Sequence, residues 1–209
     1  MNSVEGIIEV PSSLRYRIIN PEGSSPKHLV YVFHGYGQLV EYFSQKFNDF
    51  SLKDTLFVFP EGRHRFYLRG TSGRVGASWM TKEWREEDIR LNILSLNILH
   101  ETVLKSCSPE KITVIGFSQG GATAARWLAQ GKITCDHFIS WASVYPPDLA
   151  IEDHRNLAKK NSFVLGTEDE FFPEEDQEIL IADYQSKGIQ TVRFEGTHHI
   201  HKETLISIL

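Results

Sequence analysis

Residues 111–121 read Lys111-Ile-Thr-Val-Ile-Gly116-Phe117-Ser118-Gln119-Gly120-Gly121. The run Lys111–Ile115 is short, mostly apolar and β-branched, as expected of a strand buried on both faces of a sheet. Behind the glycines, Gln119–Gln130 is rich in alanine and reads as a helix. A strand turning into a helix through G-x-S-x-G is the context of a nucleophile elbow. The reason is geometric. The sharp turn lifts the Ser118 hydroxyl above the strand end, and Gly116 and Gly120 keep Cβ atoms away from chain that must pass close by. The N-terminus of the helix adds free N–H groups and partial positive charge.

The same alternation extends in both directions. Upstream, Leu14–Asn20 reads as a strand, Pro21–Lys27 as a turn and Leu29–Phe33 as a buried strand. Leu39–Phe50 follows as a helix and Thr55–Phe59 as a second buried strand, stopped by Pro60. Arg85–Leu104 carries Ile89, Ile93, Leu96, Leu99 and Val103 at helical spacing, and Ser108-Pro109 breaks it. Downstream, Phe138–Ala142 and Ser162–Leu165 are strands, Pro173–Ser186 is a helix, Gln190–Phe194 a strand and Lys202–Leu209 a last helix. Strands alternating with helices place the chain in the α/β class, with a mostly parallel central sheet covered on both faces. Right-handed crossovers then gather the loops that carry chemistry at the carboxyl ends of the strands.

Pro60–Glu83 departs from the pattern: it holds Gly62, Gly70, Gly73 and Gly76 beside Phe66, Tyr67 and Trp79, with little periodicity. Loops of this length are functional or disordered, and the aromatics favour an ordered excursion over the loop edge of the sheet. Phe66, Tyr67, Trp79 and Met80 are candidates to line an apolar substrate pocket, with Arg69 or Arg74 near its mouth; their other reading is as anchors for the loop. Arg63, Arg65, Arg69 and Arg74 concentrate positive charge on this segment.

A serine hydroxyl is a poor nucleophile without a base. On a sheet of this kind the chain order is nucleophile, acid, histidine. The strand Ser162–Leu165 leads into Gly166-Thr167-Glu168-Asp169-Glu170, and Asp169 is the candidate acid over its neighbours Glu168 and Glu170. After Gln190–Phe194 comes Gly196-Thr197-His198-His199-Ile200-His201. The turn glycine favours His198 as the base, with His199 as the next choice. A metal cluster of the three histidines lacks an obvious completing set of ligands, so no metal is expected. An acyl-transfer site also needs N–H donors for an oxyanion. Gln119 supplies one, and Tyr36, in His34-Gly35-Tyr36-Gly37-Gln38 after an early strand, supplies the other. His34 reads as a structural residue shaping that loop.

Taken together, His34-Gly35-Tyr36-Gly37, Gly116-Phe117-Ser118-Gln119-Gly120-Gly121, Gly166-x-x-Asp169 and Gly196-x-His198-x-Ile200 resemble the phospholipase/carboxylesterase family of α/β hydrolases. That family includes acyl-protein thioesterases and small bacterial carboxylesterases. The resemblance spans about residues 15–205. It implies an α/β-hydrolase fold, a three-layer αβα sandwich without a large cap domain. It also implies cleavage of carboxylic esters or thioesters through an acyl-serine intermediate, with Ser118, Asp169 and His198 at the triad positions and Tyr36 and Gln119 at the oxyanion positions. No cofactor is implied. Family members often dimerise, so a homodimer is one expected assembly. The segment 60–83 departs from the thioesterase pattern and is closer to a divergent bacterial branch. The other readings are a related hydrolase acting on a peptide or lactone bond, and a non-enzymatic binding module on the same fold.

Composition narrows the partners. The chain has 209 residues, 41% hydrophobic and 23% charged, with net charge −5. That suits a single globular domain over 1–209 and argues against disorder or collagen. A mildly acidic chain is a poor tracker of nucleic-acid phosphates. Two cysteines, Cys107 and Cys135, are too few for a disulfide framework. No apolar run reaches the length of a membrane span, and the first residues show no secretory signal. The expectation is a cytoplasmic protein acting on a small or medium acyl ester or thioester.

Overall fold

A computed structural model describes residues 3–19, 26–48, 50, 52, 54–150 and 156–209. Nine strands are defined: β1 (Tyr16–Ile19), β2 (His28–Phe33), β3 (Thr55–Pro60), β4 (His64–Tyr67), β5 (Val75–Ser78), β6 (Lys111–Phe117), β7 (His137–Trp141), β8 (Lys160–Gly166) and β9 (Gln190–Phe194). The α-helices are α1 (Val40–Phe43), α2 (Arg85–Leu104), α3 (Gln119–Gln130), α4 (Glu174–Ser186) and α5 (Lys202–Ile208). Seven strands form one sheet in the order β1-β3-β2-β6-β7-β8-β9. Only the edge pair β1–β3 is antiparallel; the other neighbours run parallel. This is the mostly parallel α/β sheet of an α/β hydrolase. Among the described residues no separate cap domain stands over the strand ends.

Burial on both faces explains the unbroken apolar strands. Tyr31 and Phe33 point to one face, where their rings meet Trp127 of α3 at 5.1 and 5.8 Å. In parallel register with Val30 and Val32, Phe57 and Phe59 point to the other face, where Phe47 packs on them at 5.7 and 5.1 Å. Each ring fully removed from water contributes roughly 1.5–3 kcal/mol. The sheet order places β2, β6, β8 and β9 so that their carboxyl ends share one edge, and every candidate catalytic residue follows one of these strands.

Three expectations change. Leu39–Phe50 is not one helix: α1 lasts four residues and continues as a 3-10 turn, Ser44–Phe47. The segment must bury Phe43, Phe47 and Phe50 against the sheet, and packing sets its path where helix propensity is modest. The segment 60–83, expected as an ordered loop, is ordered but forms an antiparallel hairpin of β4 and β5, paired from His64↔Ser78 to Tyr67↔Val75. The strand β7 begins and ends one residue early, because Ala142, at φ 47°, turns the chain out of the sheet. Of the turn expected over Pro21–Lys27, only Pro26 and Lys27 fall within the described residues.

Candidate active site

Ser118 stands between β6 and α3 with φ 52° and ψ −126°. A non-glycine residue there costs about 1–3 kcal/mol, which the surroundings must hold in place. Its N–H donates to Trp141 O (2.9 Å) and its carbonyl accepts from Gly121 N (2.9 Å). The two glycines are required by contact. A Cβ on Gly116 would lie 2.3 Å from Gly121 Cα, and one on Gly120 2.5 Å from His34 O. The elbow is therefore wedged between its own helix and the loop after β2.

The candidate acid and base, Asp169 and His198, follow β8 and β9, and these adjacent strands bring them together. His198 Nδ1 lies 2.8 Å from Asp169 Oδ2. Asp169 is only 3% exposed, whereas Glu168 and Glu170 face solvent. The second Asp169 oxygen accepts from Phe171 N at 3.0 Å, and Glu170 Oε2 accepts from His198 N at 3.4 Å. The acid loop is itself pinned by Gln177, which donates to Thr167 O and Phe172 O. The His198 ring sits between Phe117 of the elbow (4.8 Å) and Phe171 (4.6 Å). The neighbouring histidines are occupied elsewhere. The His199 carbonyl accepts from Trp141 Nε1, and His201 caps α5 by accepting from Thr204 N and stacks on Phe194. Among the described residues no three His, Cys, Asp or Glu side chains converge as metal ligands.

Among the described residues the Tyr36 amide, in the loop after β2, has no acceptor. Gly35 N donates to Gln38 Oε1 (2.9 Å) and Gly37 N to Ala77 O (2.8 Å), which leaves the Tyr36 N–H between them. The Gln119 N–H is the first of α3 and has no acceptor in its helix. His34 shapes this loop from beneath. Fully buried, its Nε2 accepts from Gly62 N (2.9 Å) and its Nδ1 donates to Gly35 O (2.7 Å). Burial pushes its pKa down to about 4, in keeping with a neutral ring.

The aromatic candidates separate. Trp79 is 0% exposed, donates Nε1–H to His34 O (2.9 Å) and stacks on the His34 ring at 5.0 Å. It anchors the loop after β2, which corrects its reading as a pocket-lining residue. Phe66 packs on Tyr36 at 5.1 Å, and Tyr67 lies half-exposed on the hairpin. Met80 lines a cleft of about 380 Å³ with Gln119, Arg126 and Val144. Two features escaped the sequence. The Gln119 side chain accepts from Trp79 N (3.0 Å) and donates to Met80 O (2.9 Å), so it clamps the end of β5 to the elbow. Phe171 is 67% exposed beside His198, with Val144, Ile179 and Leu180 along a cleft of about 440 Å³. An aromatic two residues after the candidate acid was the available signal for the second.

Comparison with known structures places this architecture. Acyl-protein thioesterase 2 of Zea mays superimposes with a TM-score of 0.66 at 14% identity, covering 93% of this chain and 95% of that one. Esterase PE8 gives a TM-score of 0.65 at 20% identity, over 93% and 95% of the two chains. SOBER1 of Arabidopsis thaliana gives 0.61 at 17% identity, over 88% and 95%. No curated protein matches the sequence. The family model described as Serine hydrolase (FSH1) matches residues 24–206. Because that match takes in the strand, the elbow and both later loops, the chain belongs to the serine hydrolase (FSH1) family.

Proposed function

We propose that this hydrolase cleaves carboxylic esters or thioesters through an acyl-enzyme on Ser118. The observation that carries the reading is the 2.8 Å contact between His198 Nδ1 and the buried carboxylate of Asp169, beside the elbow. With Nδ1–H donated to Asp169, His198 Nε2 holds the lone pair that accepts the Ser118 proton. Ser118 Oγ then attacks the carbonyl carbon, and the tetrahedral oxyanion takes hydrogen bonds from Tyr36 N–H and Gln119 N–H. His198 passes its proton to the leaving alcohol or thiol, and Asp169 stabilises the transient imidazolium. Water, deprotonated by His198, releases the acid and regenerates Ser118. The steps use protein groups and water alone.

One continuous sheet carries all three residues, which supports reading 1–209 as a single catalytic domain. Small or medium acyl groups fit a site flanked by open clefts rather than a closed tunnel. The test is hydrolysis of p-nitrophenyl butyrate. Ser118→Ala is expected to lower kcat at least about 10³-fold with an unchanged circular dichroism spectrum. A folded variant within tenfold of the native rate would refute the assignment. A panel of acyl thioesters of matched length then sets ester against thioester preference.

A further inference from the structure

A cleft of about 920 Å³ starts at Gly37 on the loop after β2 and runs between α1 and the tip of the β4–β5 hairpin. Its walls are apolar, from Leu39, Tyr42, Phe43 and Val75, and its charged members are Lys46 and Arg74. Among the described residues no acidic side chain lines it. Glu41, the acid on the adjoining helix, is paired with Arg15 at 3.3 Å instead. Among the four arginines on the hairpin segment, Arg65 is committed to buried Glu61 through two contacts of 2.9 and 2.8 Å, whereas Arg74 faces this cleft.

Lys46 is tied to the catalytic centre by packing. Its Nζ stands 5.7 Å from the centroid of Phe43 and 6.0 Å from that of Phe117, the residue that also touches His198. Among the described residues no carboxylate offsets it, and desolvation lowers its pKa. An anion arriving here would restore the interaction that the ammonium loses to its apolar surroundings. The N-terminus of α1 is not available as a phosphate nest, because Val40 N already donates to Glu61 Oε2 at 2.9 Å. The remaining donors are two side-chain cations, matched to a singly charged group. The leaving group must lie on the side of His198, which protonates it, so the cleft beyond Gly37 falls to the acyl part.

We propose that this cleft selects acyl groups that end in a carboxylate, with Leu39, Tyr42 and Phe43 along the chain and Lys46 and Arg74 at its terminus. The proposal rests on the acyl-enzyme reading and deepens it. The experiment compares the mono-p-nitrophenyl ester of octanedioic acid with its methyl-capped neutral counterpart. The wild-type protein is expected to prefer the carboxylate by at least tenfold in kcat/KM, a preference that shrinks in 0.5 M NaCl. Lys46→Met and Arg74→Met should each lower the ratio severalfold, and the double variant should bring it near one. Arg69→Met, on the same hairpin and outside the cleft, should leave the ratio intact. A wild-type ratio at or below one, or a ratio unmoved in the double variant, overturns the proposal.

Absence of hydrolysis of both esters, with no labelling of Ser118 by a fluorophosphonate, sinks the catalytic reading instead. The cleft is then judged alone by calorimetry of octanedioate monomethyl ester with Ser118→Ala protein. Binding that is lost in the Lys46→Met, Arg74→Met background sustains the proposal, and no binding overturns it.

Discussion

His198 is oriented from two sides: Asp169 Oδ2 holds Nδ1 at 2.8 Å, and the rings of Phe117 and Phe171 fix the plane. Asp169→Asn would remove the acceptor that selects the tautomer with a free Nε2. The expected result is a fall in kcat of about 10⁴-fold with the fold retained, measured on a chromogenic ester. His199 faces Phe194 and contributes its carbonyl to Trp141, so His199→Ala should stay within tenfold of the native rate. Equal losses in His198→Ala and His199→Ala would deprive His198 of its special role. Gln119 combines two tasks. Its amide is a candidate oxyanion donor, and its side chain holds the chain at Trp79 and Met80. Gln119→Ala keeps the amide and should mainly cost stability, about 1–3 kcal/mol for the orphaned groups, read as a lower urea midpoint. The candidate residues Ser118, Asp169 and His198 could be picked out in the sequence because each follows a strand, and β6, β8 and β9 do lead into them. The side-chain clamp could not, because nothing in a linear sequence links residue 119 to residues 79 and 80.

The β4–β5 hairpin is the element that packs on the loop after β2. Gly37 N donates to Ala77 O, and Gln38 bridges Ala77, so the hairpin is joined to the loop after β2. Trp79 locks the pair from below by stacking on His34. Trp79→Ala should cost about 3–5 kcal/mol in a denaturant titration and also reduce kcat, because the loop that carries the Tyr36 amide loses its support. A loss of stability with full turnover would separate the two roles. Four-residue strands explain why this hairpin reads as irregular in the sequence. His64, Arg65 and Tyr67 are all exposed, so no alternation marks β4. The long elements were legible for the opposite reason. Along α2, Ile89, Leu96, Leu99 and Val103 are buried at the spacing expected of one helix face. In the segment after Gly37, Phe43, Phe47 and Phe50 keep that spacing and are buried, yet the α-helix gives way to a 3-10 turn after Phe43, so spacing alone does not set the helix length.

Across the molecule, buried and half-buried histidines couple stability to pH. Burial pushes His28, His34 and His137 down to about 4 from 6.5. Each is hydrogen-bonded within the fold, His28 to Thr113 and His137 to Ser162 at 2.8 Å. Between pH 6.5 and 4 the unfolded chain binds protons that the folded chain does not, so stability is present above 6.5 and is lost as pH falls through this window. The melting temperature should drop steadily from pH 7 to pH 4.5; a flat profile would contradict this account of the histidines. The parallel order of the sheet was legible from the alternation of buried strands and helices, since only crossovers return the chain that way. What covers the loop edge was not, because it depends on which exposed groups meet across the clefts. The claim on which everything else depends is that Ser118 is the nucleophile. Its most direct measurement is intact-protein and peptide mass spectrometry after treatment with a fluorophosphonate. A single adduct mapped to Ser118, absent in Ser118→Ala and suppressed in His198→Ala, is the predicted result. A folded protein that stays unlabelled, or carries the adduct on another residue, would contradict it.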